Sequence, residues 1–497
     1  MKQIRIQPEN EPRTLLQLLQ AQGVFLSAAC GGRGTCGKCK VRFAEGAPAP
    51  SGPDLAHLSA DEIRSGWRLA CRTYITKPCV IELDPQAEEA IAVGTAFRRT
   101  AETAGSGTVP ETAVPVLAVD IGTTTLAAAL ICPGAQPPYP VAASVNHQRS
   151  FGSDVIARID ASNKGNSEAL QTLILQDLEA LGTQLGIQEQ DIFDPEKIRL
   201  VISGNSTMQH LLQGLSCESL GVAPYTPVDI SLHPWRNMTL LPGISTFVGA
   251  DIVSGVIACD MDRKDDICLL IDLGTNGEMV LGNRSRMLCA STAAGPAFEG
   301  GNISCGTAGI PGAICAAEIG APDPIRTIGD LPPVGICGSG VLEVTYELLR
   351  CGLIDETGLL DDDYFDEGYP LGEGLFFTAK DVREVQLAKS AIASGIQVLL
   401  QEYGIGCDDV SRVYLAGGFG EKVNIQKAVG IGLLPEELAD RTHPVGNSSL
   451  AGAVLFAERP DLAARFVQAA SGIREVSLTE TPLFSELYMD NMFFPEL

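Results

Sequence analysis

Hydrophobic and polar positions alternate in the first short stretch of the chain, KQIRIQ, and this pattern predicts a β-strand. The next stretch, TLLQLLQAQG, has its leucines at helical spacing and ends at Gly23, a residue type common just beyond a helix C-terminus. KCKVRF and CVIEL predict two more strands, and Ser59 followed by Glu62 predicts the capping box of a second helix. We therefore expect residues 1–90 to form a small α+β domain.

The apolar period is lost in residues 94–115, GTAFRRTAETAGSGTVPETAVP, where small residues, prolines and polar groups dominate. We expect a flexible linker over residues 91–115. Beyond it, strand-like and helix-like patterns alternate, which predicts an α/β architecture for residues 116–497. VLAVDIGTTTLAAALI and ICLLIDLGTNGEMVLG resemble each other, because each has an apolar strand, a turn containing Asp, Gly and Thr, and a second apolar strand. This weak internal repeat predicts two related lobes.

The composition excludes several classes of protein. A chain of 497 residues with 45% hydrophobic residues is large enough for two or three globular domains. Its net charge of −26, without a run of Lys or Arg, argues against a nucleic-acid or anionic-membrane partner. The most apolar stretch contains Asp120 and three threonines, so no membrane span is expected. The N-terminus lacks the pattern of a signal peptide, and fifteen cysteines then favour a reducing cytoplasm.

Three cysteines are concentrated in the glycine-rich stretch CGGRGTCGKC, with the spacing Cys30-x5-Cys36-x2-Cys39, and Cys71 follows in RLACR. Four thiolates suit either a zinc ion or an iron–sulfur cluster. Zinc ribbons usually offer two C-x2-C pairs, whereas this region contains one. The intervening glycines allow left-handed backbone conformations that direct N–H groups toward bound sulfides.

This cysteine spacing between predicted strands resembles that of [2Fe–2S] ferredoxins with a β-grasp fold. The gap of five residues is similar to that of the adrenodoxin-like branch. The resemblance implies that Cys30, Cys36, Cys39 and Cys71 ligate one [2Fe–2S] cluster. The other cysteines, Cys79 among them, are expected to be small buried side chains.

Phosphate-binding chemistry is suggested at the ends of three predicted strands. Glycines allow backbone N–H groups to approach a phosphate, threonine hydroxyls add donors, and a carboxylate can hold Mg²⁺ through water. The first two strand ends have this composition, at Asp120, Gly122, Thr123, Thr124 and Thr125, and at Asp272, Gly274, Thr275, Asn276 and Glu278. The third is a bare turn on which a nucleobase or ribose could lie, at Gly417, Gly418 and Phe419.

The three motifs in this order resemble the actin, Hsp70 and sugar-kinase superfamily. That resemblance implies a two-lobed α/β ATPase domain that holds ATP with Mg²⁺ between paired phosphate hairpins. Asp120 is then expected to act on the metal, and Asp272 to orient the attacking water. Asp154 and Asp251 are further candidates, although a helix N-cap or a turn is the simpler explanation of both.

A ferredoxin-like domain joined to an ATP clamp resembles the reductive activators of corrinoid proteins. Stretches such as SGNSTMQHLL, AAGPAFEGGNISCG and the terminal MFFPEL extend this likeness over almost the whole chain. The resemblance implies an ATP-hydrolysing reductive activase that passes one electron from the cluster to Co(II) and regenerates Co(I). It also implies a corrinoid protein of a methyltransferase system as partner, and an upstream electron donor. In the glycine-rich loop, Asn302 and Ser304 are candidates for contact with that partner, or for a simple turn under the nucleotide.

Two other functions remain open from the sequence. Activators of 2-hydroxyacyl-CoA dehydratases are also ATP-dependent electron donors, but they lack a ferredoxin domain. An Hsp70-like or kinase-like ATPase with a redox-sensing ferredoxin domain is the other alternative. A homodimer is also open, although only the linker stands where family members often have an extra domain associated with dimer contacts, which argues against dimerisation by that route.

Overall fold

The protein was analysed as a computed structural model that describes residues 2–8, 13–22, 24, 26, 28, 30–83, 114–417 and 423–497. It comprises two compact units. One contains Met1–Ala90, Val145–Asp177 and His210–Tyr225, and the other contains Ile91–Ser144, Leu178–Gln209 and Thr226–Leu497. The predicted linker lies almost entirely outside the described residues, as does Gly23.

The N-terminal part of the first unit is a four-stranded sheet packed against a short helix, in the strand order β1-β4-β2-β3. Its elements are β1 (Lys2–Ile6), α1 (Leu15–Ala21), β2 (Lys40–Glu45), α2 (Gly52–His57), α3 (Ala60–Arg64), β3 (Trp67–Leu69) and β4 (Cys79–Leu83). The predicted capping box begins α3, since the Ser59 N–H donates to Glu62 Oε2 at 2.7 Å and the Glu62 N–H donates to Ser59 Oγ at 3.1 Å. The leucines of α1 are buried against the sheet, as their helical spacing predicts.

The rest of the first unit is helical. It includes α4 (Val155–Ala161), the first part of α5 (Ser167–Gln184), the last residues of α6 (Ser206–Gln213) and α7 (Glu218–Gly221). A π-helical turn, Ser162–Asn166, joins α4 to α5. The Gln20 side chain on α1 donates to the Ser150 carbonyl at 3.0 Å, which ties the sheet domain to this helical part within the unit.

The second unit begins with a six-stranded sheet in the order β7-β6-β5-β8-β10-β9. Its elements are β5 (Val116–Ile121), β6 (Thr125–Ile131), β7 (Val141–Val145), β8 (Arg199–Gly204), β9 (His233–Trp235), β10 (Met238–Leu240) and the helix α8 (Ala250–Ala258). β5 and β6 form an antiparallel hairpin, and β8 lies parallel to β5 on its other side. Asp120 is therefore brought to the end of β5 beside Ser203 of β8.

A second six-stranded sheet, in the order β20-β19-β11-β12-β13-β21, forms the rest of the ATPase-like architecture. Its strands are β11 (Cys268–Leu273), β12 (Gly277–Asn283), β13 (Arg286–Thr292), β19 (Arg412–Ala416), β20 (Thr442–Gly446) and β21 (Ile473–Glu475). Small sheets between β13 and β19 contain β14 (Ala313–Ala317), β15 (Ile325–Thr327), β16 (Gly335–Ile336), β17 (Tyr369–Gly372) and β18 (Leu375–Phe377). The helices are α9 (Gly338–Arg350), α10 (Ala379–Tyr403), α11 (Ile425–Gly430), α12 (Ser448–Glu458), α13 (Ala463–Gly472) and α14 (Pro482–Asp490).

The internal repeat predicted from the sequence is visible in these two sheets. In each, an antiparallel hairpin (β5–β6 or β11–β12) has a parallel strand on its outer side (β8 or β19), followed by another (β10 or β20). Asp120 and Asp272 occupy the same position at the end of the first hairpin strand. The two lobes thus present equivalent hairpin turns, and the apolar strand residues behind them are buried. No helix in the described ranges combines the length and apolar character needed to cross a bilayer.

Candidate functional site

The four predicted cluster ligands converge in the first unit. Cys30 Sγ and Cys36 Sγ are 3.4 Å apart, and the thiol of Cys71 forms hydrogen bonds with those of Cys30 and Cys39. Cys39 directly precedes β2, and Cys71 lies in the short 3₁₀ turn Ala70–Arg72 after β3. Because the Ala70 N–H donates to the Cys39 carbonyl at 2.8 Å, the pairing of these two strands fixes two of the four ligands.

The protonation of these thiols reflects their crowding. Hydrogen bonds from Cys36 and Cys71 lower the pKa of Cys30, and a hydrogen bond from Cys71 lowers the pKa of Cys39. The same contacts raise the pKa of Cys36 and Cys71, and burial raises it further. Four thiols this close together form a donor set that suits an iron–sulfur cluster, in which iron ions would take the place of the thiol protons.

The loop that carries the first three cysteines depends on glycine at one crowded position. Gly34 has φ +79°, and a Cβ atom there would lie 2.7 Å from Arg72 Nε. Arg72 in turn donates from Nε to the Arg33 carbonyl at 3.1 Å. The Gly34 backbone therefore lies directly against the side chain that follows Cys71, and a larger residue would be strained at this φ and would displace the Arg72 side chain.

The two hairpin turns of the second unit face one cleft. At the first turn the Gly122 N–H donates to the Thr125 carbonyl at 3.0 Å, and a Cβ atom at Gly122 would lie 2.6 Å from that oxygen. At the second turn the Gly274 N–H donates to the Asn276 carbonyl at 3.1 Å. Each turn is thus closed by a glycine N–H that donates to a carbonyl of the turn, three residues on in the first and two residues on in the second, and the threonines of both turns line the cleft.

Side chains from both hairpins meet across the cleft. Thr124 Oγ1 and Thr275 Oγ1 are 3.0 Å apart, and each donates to Glu299 Oε2 at 2.8 Å. Glu299 ends a 3₁₀ turn, Pro296–Glu299, that follows β13. A single carboxylate oxygen therefore joins the two lobes at the point where the hairpin hydroxyls converge.

Asp120 is held by the N-terminus of α12. Asn447 Nδ2 donates to Asp120 Oδ2 at 2.8 Å, and Ser449 Oγ donates to Asp120 Oδ1 at 2.6 Å. The Ser449 hydroxyl is also 2.9 Å from that of Ser203, which lies beside Asp120 on β8. The carboxylate is thus fixed in one orientation at the floor of the cleft.

Burial raises the pKa values of four carboxyl groups in the cleft, those of Asp120, Asp251, Asp272 and Glu278. Withdrawal from water is the main cause for each, and the neighbouring carboxylates add to it in Asp251, Asp272 and Glu278. The pKa of Asp251 is raised to about 7 and that of Asp272 to about 8. Among the cleft residues that the structure describes there is no Lys or Arg. Bound phosphates would therefore have to be neutralised by a cation such as Mg²⁺, together with backbone N–H groups.

The predicted adenosine turn is described only at its first residue. Gly417 has φ +100°, and a Cβ atom there would lie 2.4 Å from the Leu273 carbonyl and 3.1 Å from Asp272 Oδ1. Only glycine therefore allows β19 to end this close to the second phosphate hairpin. Gly418 and Phe419 lie outside the described residues, and their role stays a prediction.

The cleft brings the motif residues together with others that the motifs do not include. Those predicted from sequence that line it are Asp120, Gly122, Thr123, Thr124, Thr125, Asp272, Gly274, Thr275, Asn276, Glu278 and Gly417. Those not predicted are Asn205, Glu299, Asn447 and Ser449. Asn205, whose Nδ2 donates to Thr123 Oγ1 at 3.0 Å, follows β8, and Asn447 follows β20. The sequence signal that could have identified Asn205 and Asn447 is a polar residue directly after a buried strand.

The two further candidate aspartates, Asp251 and Asp154, have different surroundings. Asp251, in the first turn of α8, lines the cleft. Asp154 is the N-cap of α4, in the first unit, where its Oδ1 accepts from the Ala157 N–H at 2.7 Å. Asp251 therefore remains a candidate for the nucleotide site, while the simpler explanation accounts for Asp154.

The glycine-rich loop lies next to the cleft in sequence but contacts a different element. Ser304 is exposed; its N–H donates to Asp381 Oδ1 at 2.7 Å, and its hydroxyl donates to the same oxygen at 3.0 Å. Asn302 Nδ2 donates to Glu384 Oε2 at 3.2 Å. The loop is thus anchored to the first turns of α10, and contact with a partner stays a prediction.

Family models match three consecutive parts of the chain. Residues 2–76 match a 2Fe–2S iron–sulfur cluster binding domain, residues 116–264 match the RACo middle region, and residues 266–497 match the C-terminal domain of RACo, the ASKHA domain. The predicted fold class, a ferredoxin domain followed by an actin-like ATPase domain, is confirmed by these matches. The predicted cofactors agree with these matches, the [2Fe–2S] cluster with the first domain and ATP with the ASKHA domain.

Proteins with related names are similar over much of the chain. The corrinoid activation enzyme RamQ of Eubacterium limosum is 33% identical over 426 residues, which is 76% of this chain and 70% of that protein. The [Co(II) methylated amine-specific corrinoid protein] reductase of Methanosarcina barkeri is 33% identical over 233 residues, 42% of each chain. A solved structure named reductive activator for corrinoid, iron–sulfur protein has a TM-score of 0.69 at 27% identity, covering 99% of this chain and 96% of that one. The cysteine constellation, the two-lobed cleft and these similarities agree, and the chain belongs to the family of reductive activators of corrinoid proteins.

Proposed function

We propose that this protein reactivates a corrinoid protein by passing one electron from its [2Fe–2S] cluster to Co(II), at the expense of ATP. The observation that carries the proposal is the presence, in one chain, of four converging thiols and a two-lobed carboxylate-lined cleft. A plant-type ferredoxin cluster has a potential of about −400 mV, and Co(II)/Co(I) couples generally lie lower. An uphill electron transfer explains why the chain needs both devices.

Different residues of the chain hold the cluster, bind ATP and assist its hydrolysis. Cys30, Cys36, Cys39 and Cys71 hold the cluster. The backbone N–H groups and threonines of the two hairpin turns bind the phosphates of ATP, Asp120 acts on Mg²⁺, and Asp272 orients the attacking water. Gly417 lines the cleft, which supports the prediction that the turn it begins, with Gly418 and Phe419, contacts the adenosine.

The finer features of the proposal concern partners and organisation. The partner is the corrinoid protein of a methyltransferase system, and a separate electron donor fills the cluster. Residues 1–90 form the ferredoxin domain, 91–115 the linker and 116–497 the ATP-binding domain, a division supported by the family models at 2–76, 116–264 and 266–497. A cytoplasmic location is supported by fifteen cysteines that are all free. The homodimer stays an open alternative.

Reduction of a purified Co(II) corrinoid protein separates this function from the other two classes. With a low-potential chemical reductant and Mg-ATP, we expect Co(I) to form at least about tenfold faster than with Mg-ADP or without nucleotide, followed by its visible absorbance. Equal rates with and without ATP would contradict the proposal. An activator of a dehydratase would reduce that enzyme instead, and a kinase would transfer phosphate to an acceptor without reducing cobalt.

A further inference from the structure

We propose that Glu299 is a positioning residue that holds the two phosphate hairpins together and is displaced when a third phosphate binds. The site would thereby distinguish ATP from ADP and transmit the difference to the glycine-rich loop, residues 300–306. This inference rests on the proposed nucleotide site. It concerns a residue that belongs to none of the three phosphate or adenosine motifs.

The hydrogen bonds at Glu299 occupy the hydroxyl protons of Thr124 and Thr275. Thr124 and Thr275 both donate to Glu299 Oε2 at 2.8 Å. A threonine hydroxyl carries a single proton, so it cannot donate to Glu299 and to a phosphate oxygen at the same time. A terminal phosphate bound between the hairpins must therefore compete with Glu299 for the same two donors.

Electrostatic repulsion favours displacement of Glu299 by the phosphate over an arrangement in which both share the two threonine hydroxyls. The carboxylate already lies among Asp120, Asp251 and Asp272, and its charge contributes to the raised pKa of Asp272. A bound terminal phosphate would add negative charge beside it. Repulsion and the loss of two charge-assisted hydrogen bonds then act together on Glu299.

Hydrogen bonds of the backbone after Glu299 connect this residue to the exposed glycine-rich loop, so that a shift of Glu299 would also move the loop. The Gly301 N–H donates to the Pro296 carbonyl at 2.8 Å, so the 3₁₀ turn and the start of the loop move as one piece. At the other end of the loop, both the N–H and the hydroxyl of Ser304 donate to Asp381 Oδ1.

Asp381 is itself a buried part of the α10 capping box, because Thr378 donates to its second oxygen, Oδ2, from N–H at 2.8 Å and from Oγ1 at 2.9 Å. A single carboxylate thus ties the loop to the start of α10. The route from the cleft to the exposed Ser304 is a series of named hydrogen bonds within one lobe, short enough for a local displacement to be felt at its end.

The test compares Glu299→Gln and Glu299→Ala with the wild type. Glu299→Gln removes the charge with little change of shape, and Glu299→Ala also frees both threonines. We expect each to bind the Mg²⁺ complex of the ATP analogue adenylyl imidodiphosphate about fivefold more tightly, with less than about a twofold change for Mg-ADP, measured by calorimetry. The matched control is Glu373→Gln, which makes the same charge change in the exposed turn between β17 and β18.

Hydrogen exchange gives a readout that a merely structural role would not change. In the wild type, the ATP analogue should alter amide exchange in residues 300–306 and at the start of α10, whereas ADP should not. In Glu299→Gln the exchange of these segments should already resemble the ATP-bound pattern before nucleotide is added, and the analogue should change it little.

Several results would overturn the inference. Weaker binding of the analogue by both variants would make Glu299 a direct ligand of Mg²⁺ or phosphate. An unchanged ratio of ADP to analogue affinity in both variants would show that Glu299 does not sense the third phosphate, while the nucleotide site itself would stand. Failure of the wild type to bind either nucleotide would overturn the proposed site together with this inference.

Discussion

Replacement of Cys71 by alanine is expected to leave the purified protein with little or no iron–sulfur cluster. Corrinoid reduction should then be at least about a hundredfold slower, because an electron carrier is lost and not merely weakened. Cys71 is buried, and its thiol forms hydrogen bonds with both Cys30 and Cys39, so no other cysteine of this domain can take its place. ATP binding should persist, since the cleft belongs to the second compact unit.

The matched control is Cys79→Ala. Cys79 is also a buried cysteine of the same four-stranded sheet, and its pKa is raised by burial alone, without contacts to the other thiols. Iron and sulfide analysis and the visible absorbance of the cluster should distinguish the two variants. Full cluster content in Cys71→Ala would remove this residue from the ligand set, and equal loss in both variants would attribute the effect to folding.

The cysteine loop and both hairpin turns could be recognised in the sequence because their information is local. Three cysteines within residues 30–39, and an Asp-x-Gly-Thr turn at the end of an apolar strand, are short patterns, and their resemblance to known families implied the cluster and the ATP clamp. Strand and helix periodicity predicted an α+β domain followed by an α/β domain, and the same resemblances implied the particular folds. The Ser59–Glu62 capping box shows the same locality, since all of its contacts lie within four residues.

The other polar residues of the proposed nucleotide site could not be predicted, because their information is distributed. Asn447 and Ser449 reach Asp120 only after β20 has paired beside β19 in the second sheet and α12 has turned back toward the first. Glu299 meets Thr124 from a turn 175 positions further along the chain. No spacing rule connects such positions, and a polar residue after a buried strand is compatible with many roles.

Asp251 in α8 shows how the surroundings of a residue, which the sequence does not show, can change its chemical behaviour. A carboxylate in the first turn of a helix is ordinarily explained by capping and by the helix dipole. Asp251 lies in such a turn, but the folding of two sheets around it places it beside Asp120 and Asp272, and its pKa rises to about 7. The sequence contains the aspartate, whereas the like-charged neighbours arise only from the tertiary structure.

That crowding of carboxylates leads to a second large expected effect, in which activity and stability change in opposite directions. Asp272→Asn should lower ATP hydrolysis about a hundredfold or more, because an amide cannot accept the proton of the attacking water that Asp272 is proposed to orient. The same change should make the metal-free protein more stable above neutral pH. The reason is that a carboxylate is removed from a cleft in which burial and other carboxylates oppose its ionisation.

The pH dependence follows from the direction of the pKa change. The pKa of Asp272 rises from 3.8 to about 8 in the folded protein. From about pH 4 to pH 8 the unfolded chain has lost this proton and the folded protein retains it, so the free energy of unfolding falls as the pH rises. The amide side chain introduced by Asp272→Asn has no such proton to lose. In a chelator, we therefore expect the wild type to lose stability from pH 5 to pH 9 more steeply than Asp272→Asn, by on the order of 2–4 kcal/mol.

Urea unfolding across this pH range measures the effect, with Asp266→Asn as the control because Asp266 is an exposed aspartate two residues before the same strand, β11. Mg²⁺ should restore stability to the wild type at pH 9 and have less effect on Asp272→Asn, since the cation compensates the carboxylates that burial leaves unpaired. Parallel pH profiles for the two proteins would show that Asp272 ionises normally in the folded state. Undiminished ATP hydrolysis in Asp272→Asn would separately remove this residue from the proposed chemistry and leave Asp251 as the next carboxylate to test.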